Sequence, residues 1–309
     1  MRSKNSHSSR FRLPRSGPKI ILSFIFVTVC VVVLFFILLI SNTIVPDRTT
    51  SQLLTLWENG NYSEVADLTD TLLDSEPLNS NYLFYNGVSY FYSALSQVNT
   101  DEQLFNLDNA LYSLRKLLYA PPIGYESRIH YILGKIYFYK GPFYYDLASE
   151  YLTRASQASL DANDIPEYLG VIYLETEQPE AGIKYLLKAI ENDPKDILYY
   201  TIANAYEDIS NYDQSLVHYQ LCLDNTIDNI LIQKSFIGRA RILFKLENFD
   251  QAKDIFQKLI DDNTQLADAY FYLGEIYALE NDLIKARANW RAAYNQDNTF
   301  TPALERLNS

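Results

Sequence analysis

Histidine and cysteine are nearly missing from this chain of 309 residues, which holds three of the first and two of the second. Two cysteines cannot build a disulfide framework. Cys30 lies inside an apolar run and Cys222 in a small-residue position, so the two are not expected to pair. His7, His130 and His218 fall in three separate stretches, none with a His or Cys at metal-ligand spacing, so no metal is expected. Ten glycines and eleven prolines are too few for a collagenous or low-complexity chain. No glycine-rich phosphate loop follows a strand pattern, and no serine sits in a nucleophile-elbow context. The 38 Asp and Glu residues read as solvated helix faces rather than a paired-carboxylate site. No enzymatic activity, no cofactor and no small-molecule substrate is therefore expected.

Basic charge is scarce outside the amino terminus. Arg2, Lys4, Arg10, Arg12, Arg15 and Lys19 stand without an acid among them, leaving 20 bases against 38 acids in the remainder. That balance argues against a nucleic-acid surface, because phosphate binding needs local positive charge.

One long apolar run is present. Ile20 to Ile40 carries no charge, and Ser23 and Thr28 are its only mildly polar interruptions. At about 1.5 Å per residue the run would span roughly 30 Å as a helix, the thickness of a hydrocarbon core. A cleaved signal peptide has a shorter apolar region and a small-x-small cleavage site. The basic residues before the run, against Arg48 alone close after it, place the amino terminus in the cytoplasm and the bulk of the chain outside it. The expected organisation is a basic cytoplasmic head at 1–18, a transmembrane signal anchor at 19–41, a linker at 42–50, a helical array at 51–298 and a closing helix at 299–309.

Aromatic residues are plentiful, with 26 tyrosines and 16 phenylalanines. Many fall into a repeat: a small residue followed three places later by tyrosine, at Gly87 and Tyr90, Gly134 and Tyr137, Gly170 and Tyr173, Ala203 and Tyr206, and Gly274 and Tyr277. Ala240 with Leu243 is a weaker copy. Each is followed by a second pattern of a small residue and a large apolar one four places on: Ala110 and Leu114, Ala148 and Leu152, Gly182 and Leu186, Ser215 and Tyr219, Ala252 and Phe256, Ala286 and Trp290. These spacings belong to one face of a helix, and no β alternation competes, so each unit reads as a helical hairpin. Pro77, Pro122 and Pro194 would end second helices, and Asn61, Asn211, Asn248 and Asp282 would cap the hairpin turns.

The pattern resembles the tetratricopeptide repeat, a 34-residue helix-turn-helix unit. The last unit matches best, through Leu273, Gly274, Tyr277, Ala286, Trp290 and Ala293, and Leu169, Gly170, Tyr173, Ala189 and Pro194 carry another good match. The first unit departs most, with Leu53, Val65 and Leu72 in place of small residues. The resemblance implies an all-α fold, a right-handed α-solenoid of about seven hairpins, which the apolar run would precede with one transmembrane helix. It also implies a concave face, lined by the first helices, that holds a protein or peptide partner. Projecting those helices puts Phe84, Val88, Phe91, Tyr131, Lys135, Phe138, Val171 and Leu174 on the inner side, continued by Tyr200, Asn204, Ile237, Arg241, Phe244, Phe271 and Glu275. Aromatic groups with scattered charge suit protein recognition. The alternative is that several of these side chains pack between hairpins. The inward cations do not reproduce the spaced Lys and Asn set with which some such domains grip a carboxylate terminus.

The resulting expectation is a non-enzymatic scaffold held in the bilayer through residues 20–40. It binds protein partners on the extracytoplasmic side, with a bacterial inner membrane and periplasm favoured, in assembly or stabilisation of a cell-envelope machine. A flagellar collar, outer-membrane biogenesis and secretion are settings that fit; a translocon-associated module for exported chains is the alternative.

Overall fold

The computed structural model describes residues 48–158, 160, 162–262 and 266–308. The apolar run at 20–40 and its basic head lie outside the described residues. Among those described, no helix is long and apolar enough to cross a membrane.

Fifteen α-helices account for the described chain, with no strand among them. They are α1 Arg48–Glu58, α2 Tyr62–Ser75, α3 Ser80–Leu95, α4 Thr100–Leu117, α5 Glu126–Tyr139, α6 Tyr145–Gln157, α7 Ile165–Glu175, α8 Pro179–Asn192, α9 Asp196–Asp208, α10 Tyr212–Asn225, α11 Asn229–Lys245, α12 Phe249–Asp261, α13 Ala267–Leu279, α14 Leu283–Gln296 and α15 Thr301–Asn308. Arg48 to Thr50, the last residues of the expected linker, form the first described turn of α1. The extra residues of the second unit lengthen its helices to 16 and 18 residues. Those of the third form a short 3-10 turn at Pro142–Tyr144.

The chain divides into two compact units, one ending at Leu68 and one starting at Thr69. In the first, Leu53, Val65 and Ala66 are buried and Trp57 meets Tyr62 edge to face at 5.6 Å. Of the large residues that depart from the repeat pattern, Leu53 and Val65 are thus core residues of this unit, whereas Leu72 is only half-buried and lies beyond it.

In the second unit, α3 to α14 form six antiparallel hairpins, each packed on the next, with α15 against α14. The two sequence patterns meet inside each hairpin. A Cβ added at Gly87 would lie 2.6 Å from Leu114 Cγ, and one at Gly134 would lie 2.7 Å from Leu152 Cγ. The small residue of the first helix is therefore the seat of the large residue of the second, and any larger group would overfill it. The repeated tyrosines close the same gap from the side: Tyr137 stacks on Tyr151 at 5.6 Å and Tyr173 on Tyr185 at 5.4 Å. Cys222 fills a small-residue slot and is fully buried.

The turns inside the hairpins share one backbone device. Glu177, Ser210, Glu247 and Asn281 have φ of 58°, 59°, 59° and 64°, each two residues before the second helix begins. The left-handed residue lets the next amide reach back five residues: Asn211 N to Tyr206 O at 2.8 Å, Asn248 N to Leu243 O at 2.8 Å and Asp282 N to Tyr277 O at 2.8 Å. These are Schellman closures, which satisfy carbonyls orphaned at a helix end. The expected caps then act on the following helix, Asn211 accepting from Gln214 N and Asp282 from Lys285 N. Asn248 makes no such side-chain bond.

Candidate protein-binding face

First helices contact one another across successive hairpins, α3 with α5, α5 with α7, α9 with α11 and α11 with α13. The face expected to meet a partner is therefore also the seam between hairpins. That double duty decides where the candidate residues lie.

Val88, Phe91 and Ile237 are core residues, only 3%, 2% and 7% exposed, and do not line an open surface. Each belongs to the stretch of its helix pressed against neighbouring elements. The remaining twelve are half-buried, and most of their aromatic rings face the next hairpin. Phe84 lies 4.8 Å from Tyr125, Phe138 4.8 Å from Tyr168, Phe244 5.4 Å from Tyr272 and Phe271 5.5 Å from Phe300. Val171 and Leu174 sit on α7, where Leu174 packs against the cluster around Leu186 and Leu198. The packing alternative thus holds for much of the set, and the rings outside the core remain half-buried.

The polar members are bound to neighbours rather than free. On α5, Lys135 Nζ donates to Asp164 at 3.0 Å and to the Tyr131 hydroxyl at 3.0 Å, and that hydroxyl donates to both Asp164 oxygens at 2.9 and 2.8 Å. The ammonium also lies 4.8 Å from the Tyr168 ring. Burial pushes the Tyr131 phenol up to about 12. Burial works against the Lys135 ammonium, but the bonds to Tyr131 and Asp164 outweigh it and keep its pKa above the ordinary lysine value.

A second network crosses α9, α10 and α11. Arg241 Nε donates to Glu207 Oε1 at 2.7 Å and its Nη2 to Oε2 at 2.6 Å, while Lys245 Nζ reaches Oε1 at 2.8 Å. The Tyr219 hydroxyl lies 2.7 Å from Asn204 Oδ1 and 3.2 Å from Glu207. Glu207 is only 5% exposed. Burial pushes its carboxyl up, yet the bonds and charges of Arg241 and Lys245 prevail and hold it below the usual carboxylate range. Nearby, burial pushes the Asp268 carboxyl up, with the Arg241 charge opposing it. Glu275 accepts a second bidentate pair from Arg306 of α15, at 2.8 and 2.6 Å.

Glu207, Asp164, Tyr168 and Tyr219 are central here and were not among the expected residues. Glu207 had a readable signal: Tyr200, Asn204 and Glu207 fall at i, i+4 and i+7 on one helix face. Asp164 precedes α7 and had none. His130 packs beside Tyr151 and His218 places Nδ1 2.9 Å from Gln214 O, so both are built into their hairpins. Among the described residues no group of His, Cys, Asp and Glu could hold a metal ion. The face is a surface of half-buried rings and paired charges.

Residues 169–196 and 237–299 match models of the tetratricopeptide repeat. A TPR repeat-containing protein of Methanocaldococcus jannaschii is 30% identical over 101 residues, which cover 31% of this chain and 32% of that one. The chain thus spans about a third of the length of that relative. The C-terminal part of a TPR repeat-containing protein from Cytophaga hutchinsonii is 20% identical, with a TM-score of 0.63 over 83% of this chain and 98% of that one. Pseudomonas aeruginosa pilF is 16% identical, with a TM-score of 0.50 over 74% of this chain and 96% of its own. Likeness at such identity is likeness of fold. The two matched stretches carry tetratricopeptide repeats, and the described hairpins stack into an all-helical, solenoid-like array of the same fold.

Proposed function

We propose that this protein is a non-enzymatic scaffold, anchored in a membrane through residues 20–40, that binds other proteins through the first-helix face of its repeats on the extracytoplasmic side. The observation that supports partner binding is the face itself: half-exposed rings set among charges already held by Asp164, Glu207 and Arg306. A surface whose side chains are fixed before contact loses less conformational entropy on binding. The anchor and the orientation rest on the uncharged run Ile20 to Ile40 and the six basic residues before it. A bacterial periplasm and the assembly or stabilisation of an envelope machine complete the reading.

Two measurements test it. Alkaline phosphatase joined after Ser309 is active if the domain is exported, and an inactive fusion beside an active cytoplasmic reporter reverses the topology. In-cell crosslinking with mass spectrometry should recover a small, constant set of partners. Val171→Glu and Tyr200→Glu should remove them while helical circular dichroism stays unchanged; undiminished recovery takes the face out of the argument.

A further inference from the structure

Helix α4 differs from the other second helices on its outward side. Phe105 and Tyr112 are each 64% exposed, and Tyr119, in the turn that continues the helix, is 94% exposed. They stand seven residues apart, so they form one stripe along the helix. Counted from the small residue of each second helix, the matching positions are Phe143, Glu150 and Gln157 before and on α6, and Glu177, Lys184 and Glu191 before and on α8, so α4 alone of the three carries an aromatic at every one. A solvated face needs no aromatics, and contiguous exposed apolar surface marks a contact site.

The stripe reads the same in both directions about Tyr112. Phe105 lies seven residues before it and Tyr119 seven after; Asp108 lies four before and Lys116 four after. An antiparallel copy of the same helix would set Phe105 against Tyr119, Asp108 against Lys116, and Tyr112 against itself. That is the self-complementarity a two-fold interface requires, where residue i meets j and j meets i. Asp108 is paired with Lys140 yet remains 62% exposed, and the Lys116 ammonium lies 3.9 Å above the Tyr112 ring. Arg115 is exposed beside them and would face the uncharged Asn109. A groove of about 600 Å³ opens along the stripe, walled by Tyr112, Tyr119 and Tyr151 of α6, with room for rings from the other side.

We propose that this stripe is where a second copy of the chain docks, α4 against α4, antiparallel about a two-fold axis at Tyr112. The contact is independent of the first-helix face and leaves it open.

The test uses the full-length chain, co-expressed as two copies with different affinity tags. Parent copies co-purify, and Tyr112→Glu in both lowers recovery by at least about tenfold while helical circular dichroism is unchanged. Asp108→Lys copies and Lys116→Asp copies each pair poorly with themselves, because like charges then face each other, but pair well with one another. Parent copies that fail to co-purify, Tyr112→Glu copies that co-purify like the parent, or a mixed pair recovered no better than the single variants would each overturn the proposal.

Discussion

Arg241 grips Glu207 with two nitrogens across 34 residues of sequence, one repeat length, at 2.7 and 2.6 Å. Lys135 with Asp164 and Glu275 with Arg306 span 29 and 31 residues in the same way. The first two pairs tie one hairpin to the next, and the third ties the last hairpin to α15.

Glu207→Gln should destabilise the protein by about 2 kcal/mol at pH 7, measured by urea unfolding. That is less than the full cost of breaking a buried pair, because Arg241 and Lys245 are 28% and 40% exposed. The folded carboxyl titrates below its ordinary 4.5, so its stabilisation is complete above that value and fades as pH falls through the lowered folded pKa. Parent and variant should therefore converge in acid. Asp268 shifts the other way, so the comparison is cleanest in an Asp268→Asn background. A gap unchanged between neutral and strongly acidic pH would contradict the linkage.

Arg306→Ala should matter far less despite equal geometry. The Arg306 side chain is 51% exposed, and pairs so open to water are worth up to about 1 kcal/mol. The loss should also shrink as salt is raised.

Gly134→Val should cost about 2–3 kcal/mol, since even a Cβ would come within 2.7 Å of Leu152 Cγ and 3.0 Å of Leu152 N. Adding Leu152→Ala should recover part of that loss, a coupling that a double-mutant cycle reads directly. Strict additivity would mean that the two sites do not share the gap.

Ser210→Gly and Glu247→Gly should each raise stability by about 0.5–1 kcal/mol, because glycine carries no Cβ penalty at φ of 59°. Asn281, at 64°, should gain less, as asparagine tolerates that region. Thermal midpoints that fall in both glycine variants would exclude strain at these turns.

The hairpins were legible because Gly134 and Leu152, or Gly87 and Leu114, announce a close approach through size alone. The turns were only half legible. Asn211 and Asp282 marked the caps, but nothing in Ser210 or Glu247 announces a left-handed backbone, which the Schellman closure imposes from outside. The face was read through residues that project inward, and that criterion cannot separate a solvent-facing position from a seam. Phe91 and Ile237 satisfied it and proved to be core, whereas for Glu207 the shared helix face with Tyr200 and Asn204 gave a position but no partner. Its role depends on Arg241 a full repeat away, a distance that helix periodicity does not reach.

The bonds that join neighbouring hairpins rarely span more than one repeat, so the native structure asks for little long-range chain closure. Rapid assembly follows, since such locality lowers the entropic barrier to folding, and nearest-neighbour arrays nucleate in any segment and grow from there. A nascent chain delivered amino end first could lock its early hairpins while later ones are still being made, with no need to wait for Ser309.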